Sequence, residues 1–178
     1  MEPKKSTIAA LLQDKPKRGR PPRRISRQNV YVALTGEEKQ AMHDLADKLP
    51  PGLKRADIPD LAIGLLAVRL ESIRRHVADR EREMPEGITD MESLYLLWDL
   101  PLPAEDAERN WTSLRVSPQQ AIELGRVQGT LHALFGANRS QVYTLGLALF
   151  RQAVQNELAH HSYNSVHDLQ ELIEAIFL

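Results

Sequence analysis

The chain has 178 residues, of which 42 % are hydrophobic and 26 % charged, with a formal net charge of −1; that leaves room for one or two compact domains of ordinary soluble composition. No run of about 18 or more apolar residues offers a membrane span, and the charged start without an adequate apolar stretch is unlike a secretory signal. With no cysteine, neither a disulfide framework nor a thiolate zinc site is expected, and a cytoplasmic protein is the reading.

Residues 1–27 carry nine cations (Lys4, Lys5, Lys15, Lys17, Arg18, Arg20, Arg23, Arg24, Arg27) against only Glu2 and Asp14, so the rest of the chain is net acidic. Such a segment, with Pro16, Pro21 and Pro22 and few apolar residues beyond Ile8 to Leu12, cannot build a core and is expected to be disordered alone. Its centre, Lys17-Arg18-Gly19-Arg20-Pro21, resembles an AT-hook, in which a thin backbone lies in a narrow A·T minor groove with arginines along the floor. Gly19 permits the close approach, and the narrow groove's negative potential attracts Arg18 and Arg20. The plain alternative is a solvated basic tail or a nuclear-import-like charge run.

Asn29 to Leu34 alternates apolar and polar residues, as a strand with one buried face requires. Thr35, with Glu38 three residues on, predicts a capping box at a helix start. Met42, Leu45, Ala46 and Leu49 follow at helical spacing until Pro50-Pro51-Gly52 breaks the helix. A second, longer helix is expected from Asp57 before Ile58-Pro59, ending in the sign-alternating run Arg74 to Glu83 of a solvent-exposed terminus.

Residues 84–109 read as a linker, with a short helix capped by Thr89 and Glu92 that runs to Leu100 and packs Leu94, Leu96, Leu97 and Trp98 on the core before Pro101-Leu102-Pro103. Trp111 to Val116 then alternates again. Ser117 with Gln120 repeats the capping box, and Pro118 takes the first helical position, where a missing N–H is harmless. Leu124, Val127 and Leu131 give the helix face, Gly136 stops it, and Asn138 with Gln141 opens the next helix. Ser165 to Leu178 is strongly amphipathic, with Val166, Leu169, Leu172, Ile173, Ile176 and Phe177 in one stripe that must be buried against its own domain, a partner or a second chain.

The two strand-helix-helix units are copies. A shift of 82 positions lays Val30, Val32, Leu34 and Thr35 on Thr112, Leu114, Val116 and Ser117, and Ile63-Gly64-Leu65 on Leu145-Gly146-Leu147. One unit occurring twice suggests a shared core. A lone strand cannot satisfy its backbone, so antiparallel pairing of the two within one chain is expected. Gly64 and Gly146, inside helices where glycine costs about 1 kcal/mol relative to alanine, predict close helix approach.

This order of elements, with Asn29 to Leu34 followed by Thr35 and with Asn138-Arg139-Ser140-Gln141-Val142 opening a helix, resembles the ribbon-helix-helix family of Arc and MetJ type. The resemblance covers roughly residues 28–75 and 110–158 and departs at Lys54-Arg55-Ala56-Asp57-Ile58-Pro59. It implies a mainly α fold with a short two-stranded antiparallel ribbon, two ribbon-helix-helix repeats (28–83 and 110–160) forming a pseudo-two-fold unit, and a C-terminal helix within 161–178. It also implies that double-stranded DNA is the partner, read by the ribbon in the major groove.

Strand parity sends Val30, Val32, Leu34, Thr112, Leu114 and Val116 inward, leaving Asn29, Tyr31, Ala33, Trp111, Ser113 and Arg115 as candidate readers. Asn29 suits adenine, Arg115 guanine, and Tyr31 and Ala33 a thymine methyl. For Trp111 the alternative is packing on the linker. Asn138, Arg139 and Ser140 at a helix start suit a phosphate, although capping alone explains Asn138. The six histidines form no metal-ligand spacing, no nucleophile-base set or phosphate loop is visible, and no enzyme, cofactor or metal is expected. The function expected is a nucleoid-associated transcriptional regulator. Alternatives are a relaxosome or partition accessory protein, or an antitoxin-like module that grips a protein partner or a second chain through its C-terminal helix.

Overall fold

A computed structural model describes residues 26–77, 84–104 and 106–178; the AT-hook-like Arg18, Gly19 and Arg20 and the end of the sign-alternating run lie outside them. Strands β1 (Gln28–Leu34) and β2 (Asn110–Val116) pair antiparallel in one two-stranded sheet. The expected intramolecular pairing is therefore observed. The register sets Asn29 opposite Arg115, Tyr31 opposite Ser113 and Ala33 opposite Trp111. Val30, Val32, Leu34, Leu114 and Val116 are buried beneath it, while Thr112, expected inside, is only half-buried.

Six α-helices back the ribbon among the described residues. Helix α1 (Gly36–Lys48) starts with the predicted box: Thr35 Oγ1 accepts from Glu38 N at 3.1 Å, and Glu38 Oε2 accepts from Thr35 N at 2.8 Å. Its counterpart α4 (Pro118–Phe135) keeps only half of it. Ser117 Oγ accepts from Gln120 N at 3.4 Å, but the Gln120 side chain is buried beside Gly64 instead of turning back. Asp60 Oδ1 accepts from Ser117 N at 2.9 Å in its place. Helix α4 ends on Gly136 at φ 68°, where a residue without Cβ suits the left-handed cap.

Helices α2 (Ile58–His76) and α5 (Arg139–Gln155) form the centre, buried along most of their length and packed on each other. A single 3-10 turn over Arg55–Asp57 precedes α2. Asp57, expected as the α2 cap, accepts from Lys54 N at 2.9 Å across that turn and makes no cap bond to α2. Of the two helical glycines only Gly146 marks a close crossing: a Cβ there would stand 2.8 Å from Ala62 O, whereas one on Gly64 would meet the Gln120 amide at 3.6 Å.

The linker helix α3 (Met91–Leu97) is shorter than expected and is capped by Asp90, not Thr89: Asp90 Oδ1 accepts from Ser93 N at 2.7 Å. Leu94, Tyr95, Trp98 and Leu100 are buried on the core, but Leu96 and Leu97 are exposed. Gln152 of α5 fastens its end by donating to Trp98 O at 3.0 Å. Helix α6 (Val166–Phe177) lays Leu169, Ile173 and Phe177 against the core and packs on α2. The Arg69 guanidinium stands 4.8 Å from the Phe177 ring centroid and 5.8 Å from that of Trp98, joining α6 and the linker by cation-π contact. The apolar stripe of α6 is thus engaged in its own domain, apart from exposed Ile176. No helix among the described residues is long and apolar enough to cross a membrane.

Candidate nucleic-acid interface

The ribbon turns one face to the core and the other to solvent, and parity alone decides which side chains go where. Asn29, Ser113 and Arg115 are exposed, Tyr31 is 58 % and Trp111 76 % exposed, and Ala33 is half-buried. Trp111 therefore does not pack on the linker. The six predicted reader positions share one surface, in three cross-strand pairs: Asn29 with Arg115, Tyr31 with Ser113, and Ala33 with Trp111. Opposed residues have Cβ atoms about 5 Å apart. The Asn29 and Arg115 ends are accordingly neighbours.

Each end of the ribbon is clamped by an arginine one residue ahead of a strand. Arg27 Nη1 donates to Arg115 O at 3.5 Å and also to Ala56 O, and its guanidinium pairs with Asp57 and, at 3.5 Å, with Asp60. Arg109 Nη1 donates to Ala33 O at 3.3 Å and to Thr144 Oγ1 at 3.5 Å, while its Nη2 pairs with Glu38 at 3.2 Å. These two arginines stand at the same 82-residue offset as the repeat, and each reaches the carbonyl of the other strand's matching residue. Both were missed as site residues in the sequence. Extending the repeat by three positions toward the amino terminus would have found them. Arg27, counted with the basic tail, is part of the folded body.

The helix starts at the two ends differ. At the Asn29 end, the start of α2 holds Asp57 and Asp60, so internal carboxylates already occupy the positive end of the helix dipole. Burial raises the Asp60 carboxyl above its ordinary value, opposed by the Ser117 N–H and the Arg27 charge, which lower it. At the Ala33 end, Asn138 accepts from Gln141 N at 3.0 Å and its own N–H donates to Gln141 Oε1 at 2.9 Å, so its side chain is engaged in capping. Ser140, expected to face a phosphate, accepts instead from Ala33 N at 2.8 Å and ties α5 to β1. Arg139 is exposed and donates from Nε to Gln128 at 2.9 Å. Of the three residues nominated there, Arg139 is the one whose charge faces solvent.

From this end a groove of about 1290 Å³ runs off the ribbon face between Tyr31 and Trp111, the start of α5, and the linker. Asp90, Glu92 and Arg139 are among the residues that line it. The Ser93 hydroxyl and N–H hold the Asp90 carboxyl below its usual value, so it is charged at neutral pH. Among the described residues no group of three His, Asp or Glu could hold a metal ion. No family model, curated protein or solved structure matches the chain.

Proposed function

We propose that this chain binds double-stranded DNA through the exposed face of its ribbon, as a tandem ribbon-helix-helix transcriptional regulator whose two copies form a pseudo-two-fold unit. The observation that carries the reading is the register. The strands cross at Tyr31 and Ser113, which are equivalent under the 82-residue offset, so the ribbon is centred on the repeat itself. Each central helix packs on the other, and each touches the strand of the opposite copy, α5 on β1 and α2 on β2. The paired clamps of Arg27 and Arg109 support the same two-fold relation.

A two-stranded ribbon fits the B-DNA major groove, where base edges are distinguishable, and Asn29, Arg115, Tyr31 and Ala33 supply the matching side chains. The tail with Arg18, Gly19 and Arg20 adds minor-groove contact with A·T-rich DNA. Cytoplasmic, nucleoid-associated action follows from this partner, and relaxosome or partition roles would use the same contact. The antitoxin-like reading loses its support because the stripe of α6 already packs on α2. The test is fluorescence anisotropy of the full chain against a random duplex library over a salt series. Binding whose logarithm falls linearly with log salt is expected; no retention of any duplex at low salt refutes the reading.

A further inference from the structure

Four of the chain's nine Phe, Tyr and Trp residues line the groove beside the ribbon: Tyr31 and Trp111 of the strands, Tyr95 of α3 and Phe135 at the end of α4. Tyr31 is opposed to Ser113 and Trp111 to Ala33, so the two exposed rings are diagonal neighbours on one face. That diagonal spans about 7 to 8 Å, within reach of aromatic side chains. Apolar surface gathered in this way and left in water marks an interaction site. A volume of about 1290 Å³ gives ample room for an organic molecule of drug size, which needs about 300 to 1,000 Å³.

The charges on the lining do not cancel. Arg109 is answered by Glu38 at 3.2 Å. Asp90 and Glu92 then stand against Arg139 alone, one negative charge in excess among the described residues. Glu92 is exposed, and its carboxylate has no partner among the described residues. Asp90 uses one oxygen to cap α3, and Arg139 is engaged through Nε by Gln128 at 2.9 Å.

We infer that this groove is a binding site for a lipophilic aromatic cation, taken on the faces of Tyr31 and Trp111 with Asp90 and Glu92 as its counter-charge. The negative face of an aromatic ring attracts a cation, most strongly for Trp, so rings and carboxylates favour the same sign of charge. An anion of the same shape would meet the excess negative charge, and a neutral molecule would gain nothing from it. A small aliphatic cation would leave most of the aromatic lining in water. Tyr31 and Trp111 are also among the DNA readers proposed above, so a bound cation covers part of the surface that meets the duplex. The site stands on the groove itself; only this competition rests on the DNA-binding reading.

Tetraphenylphosphonium and tetraphenylborate, a cation and an anion of one shape, separate charge from aromatic bulk. Isothermal titration calorimetry of the full chain should show the phosphonium bound about tenfold or more tightly than the borate. Tyr31→Leu and Trp111→Leu keep apolar bulk without the ring, and each should weaken the phosphonium by about 2- to 30-fold. Glu92→Gln should weaken it by about two- to five-fold, a loss that fades with salt. All three side chains are exposed, and circular dichroism of each variant verifies that the fold is kept. Equal binding of the two ions, no heat with the phosphonium, or unchanged affinity in Trp111→Leu overturns the site. In the duplex anisotropy assay the phosphonium should release bound duplex over the concentration range in which calorimetry shows it bound. Retention of the duplex at saturating phosphonium overturns the competition and leaves the site. A chain that binds no duplex removes the competition together with the DNA-binding reading, and the calorimetry still decides the site.

Discussion

Gly64 and Gly146 stand 82 residues apart, one in each central helix, and the structure predicts that alanine acts there with opposite signs. In a helix interior, glycine to alanine gains about 1 kcal/mol from backbone propensity. At Gly64 the new Cβ would sit 3.6 Å from the Gln120 Nε2, an ordinary contact with the end of a flexible side chain, so the gain should survive. At Gly146 it would stand 2.8 Å from Ala62 O and 3.4 Å from Leu66 Cβ. Backbone cannot swing aside, so α5 and α2 must separate along the centre of the fold. Forcing extra volume into a packed core costs about 1 to 3 kcal/mol, which outweighs the propensity gain over most of that range. Gly64→Ala should raise the thermal midpoint by about 2 to 4 °C, and Gly146→Ala, with a net cost of up to about 2 kcal/mol, should lower it by up to about twice that step, since about 1 kcal/mol moves a domain of this size by about 2 to 4 °C. Thermal and urea unfolding followed by circular dichroism measure both. Stabilisation by Gly146→Ala equal to that by Gly64→Ala would refute the close α2–α5 crossing.

Asp60 is buried with its carboxyl raised from 3.8, so the folded state holds its proton more tightly than the unfolded chain. The stability this contributes is present in full below the unfolded value and is lost as pH rises through the folded value. Urea midpoints across that window should fall for the parent and stay flatter for Asp60→Asn, whose amide oxygen still accepts from Ser117 N; identical slopes would refute the assignment. Tyr31→Cys with Ser113→Cys, opposed at the ribbon's centre, should oxidise to a disulfide within one chain, and only inter-chain products on a non-reducing gel would overturn the pairing. Glu92→Gln removes one carboxylate from the groove that Arg139 also lines and should tighten duplex binding about two- to five-fold at low salt, fading as salt screens it; unchanged anisotropy titrations would separate α3 from the DNA path.

Local chemistry made much of this fold legible in the chain. Alternation over Val30, Val32, Leu34 and over Leu114, Val116 marks both strands and their buried faces, because side-chain direction in a strand follows from period two alone. The Thr35 and Asn138 boxes mark helix starts because their bonds span only three residues. The repeat itself implied that the strands pair, since neither could stand alone.

What the sequence could not supply depends on residues far apart in the chain. Ser117 carries a capping-box pattern, yet its N–H bonds Asp60 of α2, and Gln120 is drawn inward by the space beside Gly64. Ser140 reads as a phosphate ligand until β1 arrives beside it and Ala33 N takes its hydroxyl. Arg27 reads as one more cation of a basic tail, and only folding brings Asp57 and Asp60 around it. By itself the sequence determined the order of the main elements and the parity of the strands, set by contacts within a turn or a pleat. The tertiary structure alone decided which polar groups remain free for a partner, because a hydrogen-bonding side chain engages whichever donor or acceptor packing places within about 3 Å of it.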